Sequence, residues 1–164
     1  MRVRTLGAAL VATGLVGVCP AYGQDECPVG SPEVLVRGII PVTGDGPLWV
    51  GVAGGELDWA GPNDGVTVVW VRDYEVRGAV LISGANRGSG ERAGFADTAS
   101  ALGTRNERYR LENLGFQPNS ISQADLRRYS FHRGAVFFPE PGCYEITAQV
   151  GRETATLYLN VEQP

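Results

Sequence analysis

The apolar positions of this chain fall into short runs of alternating residues, broken by glycine and proline, and the alternation has a period of two almost throughout. The last stretch shows it best. In Cys143 to Val150, Tyr144, Ile146, Ala148 and Val150 share one face, and in Thr154 to Val161, Ala155, Leu157, Leu159 and Val161 share one. Side chains alternate across a strand, so these runs predict two half-buried strands joined at Gly151-Arg152-Glu153 as a β-hairpin. Gly65 to Arg72 is apolar on both faces, with Val66, Val68 and Trp70 on one and Thr67, Val69 and Val71 on the other. That pattern predicts a central strand with Trp70 in the core. Leu48 to Val52 is a shorter strand whose Trp49 points away from Leu48, Val50 and Val52, so Trp49 needs a second layer or a partner loop. Glu33 to Ile40, Arg77 to Ser83 and Gly134 to Phe138 complete the set, stopped by Pro41, Gly84 and Pro139. Many short strands with Gly/Pro turns and almost no helical period predict an all-β sandwich.

The pattern fails between Asn86 and Arg133. Tyr109 to Leu114 reads as one short strand. Ser122 to Tyr129 reads as a short helix, with Ser122 as N-cap and Asp125 three residues on in place of the usual Glu. The rest is irregular, which at this length marks a functional or mobile region. Its charge differs too. Eight arginines stand against five acids, near +3, while the remainder from Gln24 onward holds four arginines and thirteen acids, near −9.

Before Gln24 the sequence reads as a secretory signal peptide: Arg2 and Arg4, then apolar Leu6 to Val18, then the small residues Ala21 and Gly23. The apolar run is short of the roughly 20 residues that span a bilayer. Cys19 offers a lipid-anchored alternative, but Val18 is not the small residue that lipoprotein processing favours. Gln24 to Pro164 suits one domain. With Arg2 and Arg4 removed, twelve arginines face eighteen acids, a net of −6, and no lysine occurs anywhere. An all-arginine basic set reflects a GC-rich genome rather than a function. No basic excess and no aromatic-basic interleaving are present, so nucleic acid is a poor partner. Two cysteines follow Gln24, Cys27 and Cys143, and in an oxidising compartment such a pair bridges.

The ending Phe138-Pro139-Glu140-Pro141-Gly142-Cys143-Tyr144-Glu145-Ile146-Thr147 resembles the F-P-x-P-G-C-W-E-[IV]-T hairpin of a family of secreted bacterial proteins of uncharacterised function. Gly115-Phe116-Gln117-Pro118-Asn119 and, loosely, Arg77 to Gly84 match two further segments of that family. Tyr144 replaces its tryptophan, and Ile121 to Arg133 is an apparent insertion. The resemblance implies a secreted, immunoglobulin-like β-sandwich, and with the irregular 86–133 segment the expected fold is an immunoglobulin-like β-sandwich with a long irregular, partly helical insertion, in a secreted or periplasmic protein. It implies no catalytic residues.

Candidate chemistry is sparse. His132 is the one histidine, so a triad would have to use it, and Arg127, Arg128 and Arg133 beside it disfavour its protonated form. No G-x-S-x-G elbow occurs. Asp58, Asn63 and Asp64 miss the register of a calcium loop, and Pro62 to Gly65 reads as a turn. Asp73 with Glu75, and Glu56 with Asp58, are exposed acid pairs. Gly88-Ser89-Gly90 lacks the lysine and helix of a phosphate loop. The feature above background is the arginine set Arg105, Arg108, Arg110, Arg127, Arg128 and Arg133, whose planar forks suit carboxylate or phosphate. The competing reading pairs Arg105, Arg108 and Arg110 with Glu107, Glu112 and the acidic remainder. The sequence therefore leads to a non-enzymatic interaction or envelope protein needing no cofactor or metal, whose partner is an anionic envelope component or a protein. The alternatives are a small secreted hydrolase built on the 86–133 loops, or a glycan module displaying Trp49 or Trp59.

Overall fold

The computed structural model describes residues 26–36, 41–44, 46–52, 57–97, 105–111 and 115–163. The segment read as a signal peptide, Cys19, Glu56 and Glu112 lie outside this set, as does the second half of the strand expected over 33–40. Eight strands and one helix follow in order: β1 Leu48–Val52, β2 Gly65–Asp73, β3 Val80–Asn86, β4 Gly94–Ala96, β5 Tyr109–Leu111, α1 Gln123–Arg128, β6 Tyr129–Phe137, β7 Gly142–Val150 and β8 Glu153–Val161. They form two four-stranded antiparallel sheets, ordered β1-β2-β6-β4 and β5-β3-β7-β8. The all-β sandwich read from the alternation is what the chain adopts.

The core lies between the sheets and follows that alternation. Leu48, Val50, Val68, Trp70 and Val136 from the first sheet meet Val80, Ile82, Tyr144, Ile146, Leu157 and Leu159 from the second. Trp70 is fully buried, tilted against Phe95 at 6.4 Å between ring centroids. Burying a side chain of this size contributes on the order of 2–3 kcal/mol, so the sandwich rests on these facing rows.

The first sheet has a second apolar face, as the doubly apolar β2 required. Val71, Tyr129 and Phe131 point outward from it and are covered by Val36, Val42, Ile121, Phe116 and Leu126. Trp49 finds its second layer here, edge-on to Tyr129 at 5.9 Å, with its indole N–H donating to Glu33 Oε1 at 3.1 Å. Helix α1 starts where expected: Ser122 Oγ accepts from the Asp125 N–H at 3.1 Å, and Asp125 lies in the first turn.

Three boundaries differ from the sequence reading. The strand expected from Glu33 is represented by a bridge between Glu33 and Val42, followed by one between Thr43 and Val50. The strand expected at Arg77–Ser83 runs from Val80 to Asn86, because Gly78 adopts φ +106, outside the strand region. The strand expected at Gly134–Phe138 begins at Tyr129 and pairs with β2 over its whole length. Its early half was hidden because Ser130 and His132 are polar yet face inward, opposite Arg72 and Trp70.

The Cys27 and Cys143 sulfurs lie 2.02 Å apart, at bonding distance, across 116 positions of sequence. Cys143 points out of the second sheet beside Glu145 and Thr147, so this link pins the N-terminal segment to one end of that sheet.

Candidate functional site

The two sheets are unequal. The outer face of the first is roofed, whereas the outer face of the second carries no such layer among the described residues. Alternation places Ser83 and Ala85 of β3 opposite Thr147 and Glu145 of β7 on that open face. These are short or polar side chains, so the surface is low there. The chain then raises walls around it. After β3, the segment 87–92 folds back until Arg92 bridges Ala85, with the Asn86 N–H donating to Glu91 O at 2.8 Å. The result is a groove of about 410 Å³ floored by Ser83, Ala85 and Thr147 and edged by Arg87, Arg92 and Arg108.

Its electrostatics are mixed but ordered. Arg92 pairs with Glu107 across the groove wall, both well exposed, an arrangement that contributes about 0–1 kcal/mol to stability. Arg87 reaches over the Tyr158 ring at 5.5 Å, which holds its fork beside the sheet face. Arg108 lines the groove with no hydrogen bond or ion pair to its side chain among the described residues. Glu145 lies in the floor as an acceptor. Three guanidinium groups against two carboxylates can hold an anionic group at the rim, while Glu145, Ser83 and Thr147 address hydroxyl or amide hydrogens.

The arginines singled out by sequence do not converge. Arg108 enters the groove. Arg110 sits opposite Leu81 at the β5 edge of the same sheet. Arg105 is occupied elsewhere, donating to Pro62 O at 2.8 Å and Asn63 Oδ1 at 3.0 Å while lying over Phe137 at 4.4 Å. Arg127 and Arg128 close α1, Arg128 over Tyr129 at 5.0 Å, and Arg133 lies over Phe116 at 4.8 Å. Of the acids that the competing reading offered to Arg105, Arg108 and Arg110, Glu107 pairs with Arg92, and Glu112 lies outside the described residues. Arg87 and Arg92 were missed as site residues. Only their position after β3 and its return turn marks them.

A second hollow, of about 440 Å³, opens on the edge of β6 between β4 and the bridge from Phe116 to Phe131. It brings together Asp97, Tyr109, His132 and Arg133. The Tyr109 hydroxyl donates to Asp97 Oδ1 at 2.6 Å, and burial together with this acidic neighbour pushes its pKa up. His132 is nearly buried, its Nε2 3.1 Å from Ser130 Oγ. Its pKa is lowered, as the sequence suggested, but the causes are burial first and the buried Arg72 second, not the neighbouring arginines of the chain. A third hollow, about 780 Å³, surrounds Cys27 and Cys143. Its polar groups serve one another there: Ser89 Oγ donates to Glu140, and Asn86 Nδ2 donates to Pro141 O at 3.2 Å. Trp49 and Trp59 are both half-buried with their indole N–H groups bonded, so neither is displayed for sugar stacking. The acid pair of Asp73 and Glu75 closes a turn, Asp73 Oδ1 accepting from the Glu75 N–H at 2.9 Å.

The chain is thus a two-sheet β-sandwich with a polar, arginine-edged groove on the face that the described residues leave uncovered. No protein-family model matches it, and neither curated proteins nor solved structures yield a match. Among the described residues no helix is long and apolar enough to cross a membrane.

Proposed function

We propose that this is a secreted or periplasmic, non-enzymatic interaction protein whose open sheet face binds an anionic component of the cell envelope. The observation that carries the reading is the asymmetry of the sandwich: among the described residues, one outer face is roofed by apolar residues, and the other is left open around Arg87, Arg92 and Arg108. An acidic glycan suits the groove, since its carboxylates match the arginine forks and its hydroxyls match Glu145, Ser83 and Thr147. Export is supported by the leader-like start and by cysteine sulfurs at bonding distance. The immunoglobulin-like reading is supported by strand order. The order β1-β2-β6-β4 corresponds to A-B-E-D and β3-β7-β8 to C-F-G, with β5 as an extra edge. Tyr144, near the start of β7, donates its hydroxyl back to Glu140 O at 2.9 Å, as the tyrosine corner of such folds does. The resemblance of the final hairpin to secreted bacterial proteins belongs to the same proposal.

Retention on an immobilised acidic polysaccharide tests it. Arg87→Ala with Arg108→Ala should elute at clearly lower salt than wild type, whereas Arg127→Ala, on α1, should not. Unchanged elution of the double variant rejects the groove.

A second reading has one observation behind it: Asp97 and His132, an acid and a neutral imidazole, share the β6-edge hollow. It makes the protein a small hydrolase. Turnover of ester or glycoside substrates that disappears in His132→Gln and in Asp97→Asn would establish it, and no turnover in the wild type would end it.

A further inference from the structure

Among the described residues, β8 leaves one edge of the second sheet open. β8 pairs with β7 along its whole length, and among the described residues nothing pairs with its other side between Glu153 and Val161. Only the residue beyond is taken: the Glu162 N–H donates to Leu57 O at 2.9 Å, and the Trp59 N–H donates to Glu162 O at 2.8 Å. Edge-directed groups recur at every second residue of a strand. The unclaimed N–H and C=O groups upstream therefore belong to Asn160, Tyr158, Thr156 and Thr154. Such an edge is a template for another strand, and proteins usually blunt it with lysine, proline, a bulge or an inward charge. β8 has none of these, and its one charged residue, Glu153, sits at the hairpin turn.

We propose that a second copy of this chain occupies that edge, β8 pairing antiparallel with β8 about a two-fold axis at Leu157. The two second sheets then form one continuous sheet. In this register Thr156 stands opposite Tyr158 and Thr154 opposite Asn160, so every unclaimed edge group gains a partner. Leu157 meets its own copy on the core side, where Ala155 meets Leu159, and no like charges are opposed. The register also carries the turn residue Arg152 of each copy to the end of the other's strand, where Asp58 and Glu162 lie exposed. Within one chain the Arg152 side chain has no hydrogen bond or ion pair among the described residues. That charge match, together with the self-complementary register, favours a second copy over an unrelated peptide.

Sedimentation equilibrium on the disulfide-intact chain tests the proposal. The wild type should show a reversible monomer–dimer equilibrium. Arg152→Glu, which sets like charges against Asp58 and Glu162, should raise the dissociation constant about ten-fold. Adding Glu162→Arg to that variant should restore most of the loss. Thr156→Pro removes an edge N–H and should abolish the dimer, circular dichroism confirming that the monomer remains folded. If the proline variant fails to fold, the Arg152 and Glu162 pair decides alone. A wild type monomeric up to the millimolar range overturns the proposal, and so does a dimer indifferent to Arg152→Glu.

Discussion

Asn86 joins two turns at the end of the sandwich that carries the cysteine pair, and it supports a worked prediction. The residue is 7 % exposed. Its Oδ1 accepts from the Gly88 N–H at 2.8 Å and, more weakly, from the Ser89 N–H at 3.4 Å, while its Nδ2 donates to Pro141 O at 3.2 Å. Asn86→Ala removes two well-formed hydrogen bonds, each with a net worth of about 1 kcal/mol, and leaves partly buried partners unsatisfied. The expected cost is about 2–3 kcal/mol, or a melting point lower by about 6–12 °C for a domain of this size. Gly142 supplies the control. It adopts φ +137, and a Cβ there would lie 2.6 Å from Asn86 Nδ2. Gly142→Ala therefore carries backbone strain of about 1–3 kcal/mol plus displacement of the Asn86 amide. In the double variant the second contribution vanishes, because the amide is already gone. The losses should then fall short of additivity by about 1 kcal/mol, read from urea denaturation of all four proteins of the cycle. An Asn86→Ala protein within about 0.5 kcal/mol of wild type, or an additive cycle, would refute the reasoning.

Two further outcomes concern the cysteine pair and His132. Replacing Cys27 and Cys143 together by serine opens a loop spanning 116 positions, for which chain entropy predicts a loss on the order of 4–5 kcal/mol; an unchanged denaturation midpoint would show that the pair does not clamp the fold. His132 is held below its ordinary pKa of 6.5 by burial and by Arg72, so the unfolded chain takes up its proton first. Stability should fall as pH drops through about 6.5 towards the folded value, and His132→Gln should flatten that limb of the pH–stability curve; identical acid limbs in the two proteins would contradict it.

How far the fold could be read in advance depended on which environment each strand meets. β7 and β8 alternate cleanly because one face meets the core and the other water, so their limits were legible within a residue. β2 was legible as central because it is apolar on both faces, and the structure roofs its outer side with Val36, Val42 and Ile121. The early half of β6 was not legible. Ser130 and His132 occupy inward positions whose polarity makes sense only beside Arg72, from a strand some sixty residues earlier in the chain. Of the two three-residue strands, β5 begins at Tyr109 as the sequence reading had it, whereas β4 was not legible because a strand that short carries too few alternations to stand out.

The arginine-rich segment shows the same division at the candidate site. Its charge excess was plain in the sequence, but the six arginines chosen from it end on different surfaces. Arg108 joins Arg87 and Arg92 because the chain turns back after β3, and Arg105 is drawn away to Pro62 and Asn63. The sequence by itself determined the secondary structure class, the position of the final hairpin, the N-cap at Ser122 and the pair of cysteines available for a cross-link. Each of these depends on local periodicity, local hydrogen bonding or simple counting. Tertiary structure alone decided which sheet face and which strand edge the described residues leave open, and which arginines border that face. Those depend on contacts between residues far apart in the chain, and a strand's pattern reports that a face is buried without saying what buries it.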